Sequence, residues 1–165
     1  MTGSIVVALL VVVSGGLALV KLTGRWRRRR GRALLRGEPP VREAHDVDGR
    51  VHLFRTPPWH GMLPGRAHPV RVDLLLAASR VVLASDQGVL AEVTTATARP
   101  LKSARCTGPR RLVVEGEVVL AGKPPGLWRL ELLLDDAEGW AHALRPFVAD
   151  DGGGYGTWGE RPAVS

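Results

Sequence analysis

The stretch from 127 to 148 reads Leu127-Trp-Arg-Leu-Glu-Leu-Leu-Leu-Asp-Asp-Ala-Glu-Gly-Trp-Ala-His-Ala-Leu-Arg-Pro-Phe-Val148, and its hydrophobic period changes midway. Leu127–Leu134 alternates and then turns wholly apolar, which predicts a strand. From Ala137 onward the apolar positions Ala137, Trp140, Ala141, Leu144 and Val148 recur at helical spacing and share one face. Asp135 or Asp136 can cap that helix, with Glu138 three residues after Asp135, and Pro146 ends or kinks it. A strand therefore hands over directly to one late amphipathic helix.

Working outward, the preceding chain is a series of short β-rich runs separated by turn residues. Val51–Phe54 follows the turn pair Asp48-Gly49, and Val70–Ala77 alternates at first and ends fully apolar. Val81–Ala84 and Val89–Val93 flank Ser85–Gly88, which suits a hairpin turn. Arg111–Leu120 contains two apolar runs around Glu115-Gly116-Glu117, and reads either as one bent strand or as a tight hairpin. About seven strands followed by one helix predict a mainly-β domain over 50–148: a curled antiparallel sheet whose open end the helix plugs. The glycine-rich stretch 149–165 is expected to be a disordered tail.

The N-terminal region has a different character. Met1–Val20 has no charged side chain, and Ile5–Val13 is continuously aliphatic. About 20 apolar residues suffice for a membrane helix, so 1–22 is expected to span a bilayer, with Lys21 reaching for the interface. A cleaved signal peptide would place positive charge ahead of the apolar run, and Met1–Ser4 offers none. The arginine block Arg25, Arg27, Arg28, Arg29, Arg30 and Arg32, with Trp26 inside it, then marks the cytoplasmic end and contacts anionic lipid head groups. That orientation puts the N-terminus outside and the domain in the cytoplasm. Residues 23–49 read as a basic juxtamembrane segment and a linker stiffened by Pro39-Pro40.

The charge distribution supports this division. The net charge is +7, yet Met1–Gly37 holds eight basic residues and no acid, while the other 128 residues hold 15 basic and 16 acidic side chains. Basicity belongs to the juxtamembrane segment and not to the folded part, which argues against a nucleic-acid-binding domain. Arginine outnumbers lysine 20 to 3 in a chain rich in Ala, Gly, Val and Leu, a bias typical of a GC-rich genome. The single cysteine, Cys106, cannot form an internal disulfide.

Strands closed by one late helix carrying a buried Trp, here Leu132–Leu144 with Trp140, resemble a pleckstrin-homology-like (PH-like) domain. The whole layout is similar to small actinobacterial single-pass proteins with a span, an arginine block, a proline spacer and a PH-like domain. The resemblance implies a binding or scaffolding role without catalysis. Arg66, Arg71 and Arg80, with Asp73 among them, do not reproduce the basic cluster of phosphoinositide-binding PH domains, so inositol-phosphate recognition is not carried over.

Chemistry-bearing residues are sparse. His45, His52, His60 and His68 lie near Asp46 and Asp48, but separations of seven, eight and eight match no compact ligand motif. Asp46–Gly49 lacks the remainder of a calcium loop. Ser79, Ser85, Ser103 and Cys106 sit in no nucleophile signature, although Arg105 beside Cys106 can favour a thiolate. Trp59 and Met62, beside Pro57-Pro58, form an apolar loop that serves either as a partner contact or as a lid over the barrel mouth. No cofactor or metal is expected. The function expected from the whole is a membrane-anchored module that tethers a protein partner at the inner surface. The alternatives are an accessory subunit acting through its span, with Gly15-Gly16 as packing face, and a His-rich metal-binding membrane protein.

Overall fold

A computed structural model of the chain describes residues 24–56, 58–96, 101–118, 122 and 125–149. The expected span at 1–22, with Lys21, and the tail from 150 lie outside them. Among the described residues no helix is long and apolar enough to cross a membrane.

The first element, α1, is helical over 24–34. It ends where Arg36 and Gly37 take positive φ values of 52° and 84°, and Glu38 N–H donates to the Leu35 carbonyl at 3.0 Å. Glycine supplies this left-handed geometry at little cost, as in many helix C-termini. Pro39-Pro40 does not act as a spacer. On either side of it the Glu38 carboxylate accepts from Ser79, just after β2, and Val41 N–H donates to the Leu76 carbonyl at 2.7 Å, so the chain reverses tightly onto the domain.

Among the described residues seven strands follow: β1 (Arg42–Phe54), β2 (Ala67–Leu76), β3 (Arg80–Ser85), β4 (Gly88–Thr94), β5 (Ser103–Gly108), β6 (Arg111–Val118) and β7 (Gly126–Leu133). They form one antiparallel sheet in the order β4-β3-β2-β1-β7-β6-β5. β1 begins at Arg42, nine residues before the strand expected at Val51, so the part of the expected linker from 42 to 49 is sheet. The strand count agrees with the sequence reading, but the membership differs. Arg111–Val118 is one strand, because Gly116 lies flat against the Trp128 indole; a Cβ there would come within 2.4 Å of the ring. β5 had no apolar pattern to betray it.

The sheet curls around a core that includes Val72, Leu74, Leu83, Leu112, Leu130 and Trp128. The second helix, α2 (Ala137–Ala143), adds Ala137 and Trp140 to that core, and Leu144 follows them. Asp136 is its cap, accepting from Gly139 N–H at 3.0 Å, and a 3-10 turn at Arg145–Phe147 ends it at Pro146. Arg42 pairs with the Asp136 carboxylate and lays its guanidinium over the Trp140 ring at 4.6 Å, tying the start of the sheet to α2. The Asp136 carboxyl sits below its ordinary range because of Arg42 and the Gly139 N–H.

Candidate functional site

β2 and β3 bury both of their faces. Val72, Leu74, Val81 and Leu83 point inward, while Leu75, Val82 and Ala84 form a second, smaller apolar cluster on the outer side with Leu35 and Ala77. Such continuous burial requires a cover on the outside. The cover is α1. Arg27, Gly31 and Leu35, spaced four apart, are its buried stripe. Gly31 lets the helix approach closely, since a Cβ there would lie 2.7 Å from Leu75 Cδ1.

The polar part of this contact is built by a bulge. The β1–β2 register shifts between Ala44 and Val47, and Asp46 within the bulge has φ of 54°, which a short polar side chain tolerates. The bulge aims the Asp46 carboxylate at α1, where it pairs with Arg27 and with Arg28 Nη2, the latter at 2.6 Å. Asp46 N–H donates to Asp73 Oδ1 at 2.9 Å, and Arg27 Nε lies 3.1 Å from Asp73 Oδ2. Arg27 is only 3% exposed and Asp73 is fully buried, so the pair is shielded from water. Burial opposes charge on Arg27, yet hydrogen bonding and attraction from Asp73 and Asp46 outweigh it and raise its pKa. Burial likewise pushes the Asp46 carboxyl up, but Arg28 and Arg27 prevail and hold it below its ordinary value.

Further along, Arg32 Nη2 reaches Glu43 Oε2 at 3.0 Å, and Arg36 Nη2 lies 3.9 Å from Glu92. Arg32, with help from His45, depresses the Glu43 carboxyl against a smaller effect of burial. At the far end Glu38 accepts from Ser79 Oγ at 2.6 Å and from Ser79 N–H at 3.1 Å, and these bonds lower its pKa. The helix is thus fastened at both ends.

Of the residues expected to meet lipid, Arg25, Trp26, Arg28, Arg29, Arg30 and Arg32 are exposed. Arg27 is a correction: it faces the sheet, where β1 and β2 supply two carboxylates that the basic-block reading did not assign to it. Arg25, Arg29 and Arg30 have no acidic partner among the described residues. The Arg30 guanidinium lies 5.1 Å from the centre of the Trp26 ring, and Trp26 is 53% exposed.

At the apolar loop the partner-contact alternative is corrected for Met62, and the lid alternative fits the packing. Met62 is buried in the core, and Trp59 packs against it, their backbones exchanging hydrogen bonds of 3.0 and 2.9 Å. Met62 therefore has no surface to offer a partner; the pair closes the loop over the core.

The four histidines diverge. His45 contacts Glu43 and Asp73, His52 faces Glu131 at 3.7 Å, His60 stands against Trp59, and His68 bonds to the backbone of Leu63. Among the described residues no group of three or more His, Cys, Asp or Glu is placed to hold a metal ion. Cys106 is exposed, with its thiol on the Gly108 carbonyl at 2.9 Å.

A recess of about 550 Å³ lies on the outer side of the sheet. Arg50, Arg71, Arg111, Asp48, Asp86 and Glu131 surround it with alternating charge. Arg71 and Asp48, opposed neighbours on β2 and β1, pair within its lining at 3.5 Å. Comparisons with family models, curated proteins and solved structures give no match to this chain.

Proposed function

We propose that the chain is a single-pass membrane protein whose PH-like domain binds and organises a protein partner at the inner membrane surface, without catalysis of its own. The observation that carries this reading is the division of labour within the arginine block. Arg27, Arg28, Arg32 and Arg36 are engaged by acids of the sheet, while Arg25, Arg29 and Arg30 stay turned away beside the exposed Trp26. One short helix thereby joins the end of an apolar segment to a folded domain and keeps cations for lipid. Each basic residue near an anionic surface contributes about 1 kcal/mol of attraction. Basic residues flanking a span remain on the cytoplasmic side, which places the domain there.

The strand order and the late helix with buried Trp140 support the PH-like reading, and the layout fits the small actinobacterial proteins it resembles. The test is affinity purification of the full chain from its native membranes, beside a variant with Gly15→Leu and Gly16→Leu. Recovery of the same cytoplasmic protein by both assigns recognition to the domain. Loss of partners in the variant, with membrane proteins recovered by the unaltered chain, would assign recognition to the span and make the protein an accessory subunit.

A further inference from the structure

We propose that the domain lies face-down on the bilayer, with α1 in the plane of the head groups between the sheet and the lipid. This rests on the membrane-anchored reading above and adds an orientation to it.

The first support is a matter of direction. Near its start α1 meets Asp46 through Arg28 at 2.6 Å, and near its end it meets Glu43 through Arg32 at 3.0 Å. Helix and β1 therefore run in opposite senses. β1 continues from Asp46 to Phe54, past the beginning of α1. At about 3.3 Å per residue those eight residues extend roughly 26 Å. If α1 stood upright as the straight prolongation of a span, this part of the sheet would sit in hydrocarbon. Its outer side carries Asp48, Arg50, Arg71 and Glu131, which hydrocarbon does not accommodate. An α1 lying along the surface avoids this burial of charge.

The second support is the helix itself. At 100° per residue, Arg25, Trp26, Arg29 and Arg30 occupy the side opposite the buried stripe of Arg27, Gly31 and Leu35. The unpaired cations and the exposed indole thus share the face turned away from the sheet. Arginine and tryptophan on one face suit the head-group layer, where the ring sits at the boundary and the guanidinium meets phosphate. In this pose the mixed-charge recess overhangs the head groups. β5, at the other end of the strand order from β4, faces the cytosol.

Cys106 on β5 is the sole cysteine, which makes the test direct. The full chain is reconstituted in nanodiscs of phosphatidylcholine with a minority of phosphatidylglycerol carrying head-group acceptors. Energy transfer is read from a donor on Cys106, or on Arg71→Cys in a Cys106→Ser background. Transfer from position 71 is expected to exceed that from 106 several-fold, and the triple variant R25E/R29E/R30E is expected to remove most of the difference. Unchanged thermal melting of the domain would show that the variant remains folded, while a shift in the emission of Trp26 would accompany its departure from the head groups. Equal transfer from the two positions, or stronger transfer from 106, would overturn the orientation while leaving the anchor intact. Release of the chain by alkaline carbonate would remove the anchored reading and the orientation with it.

Discussion

The two faces of the sheet are stabilised in different ways. The inner face closes on a large apolar core, shared with α2, to which every strand but the edge strand β5 adds buried side chains. The outer face of β2 and β3 has a small apolar patch, and α1 is held over it by the Arg27–Asp73–Asp46 clasp, a surface pair at Glu43 and the Glu38–Ser79 bonds. Hydrophobic area is non-directional and decides that the chain folds. Charge pairing at a bulge is directional and decides where one helix docks. The inner face is therefore the fold, and the outer face is a fitting attached to it.

This contrast makes unequal demands on substitutions. Trp140→Ala should cost about 4 kcal/mol of global stability, since it empties the contact between α2 and the sheet. Chemical denaturation should show one cooperative transition moved to lower denaturant; a transition in which α2 alone is lost would break the inner half of the comparison. Asp73→Ala should cost up to about 3 kcal/mol, because it leaves Arg27 buried without its main partner. The loss should stop at the value at which α1 lifts off and Arg27 returns to water. Adding Arg27→Met should recover most of it, as a double-mutant cycle would show.

Gly31→Val should cost about 2 kcal/mol by forcing α1 away from Leu75, again without unfolding the inner core. Arg32→Ala should be smallest, about 0.5 kcal/mol, because Arg32 is mostly exposed and its bond to Glu43 is shared with water. Acidification sharpens the same division. The Asp46 and Glu43 carboxyls have folded pKa values below their ordinary ones. Their stabilisation is complete above the ordinary carboxylate range, near pH 4, and is lost as pH falls through the lower folded values. Exchange of α1 amides should accelerate there before the core melts.

Part of this outer fitting was visible in the sequence. Val70–Ala77 begins as an alternating strand and ends wholly apolar, and the change falls where α1 begins to cover β2. The capped helix with Trp140 was legible because its period and its capping residues agree. Three features were not. β5, Ser103–Gly108, is an exposed edge strand with almost no apolar side chain, so pairing with β6 alone makes it a strand. The early start of β1 was hidden because Arg42–Asp48 is polar on the side that α1 covers with arginines. Arg27 looked like its neighbours in the basic block; helical phase with Gly31 and Leu35 was the signal that set it apart, and it becomes informative only once the sheet behind it is known.

The central claim is that α1 belongs to the domain and carries the clasp between anchor and sheet. Hydrogen exchange on the full chain in its membrane, at neutral pH, tests it most directly. The amides of Gly31, Arg32 and Leu35 should be strongly protected, and Asp73→Ala should release them while the amides of β6 and β7 keep most of their protection. Exchange of those α1 amides at the rate of free chain in the unaltered protein would contradict the account.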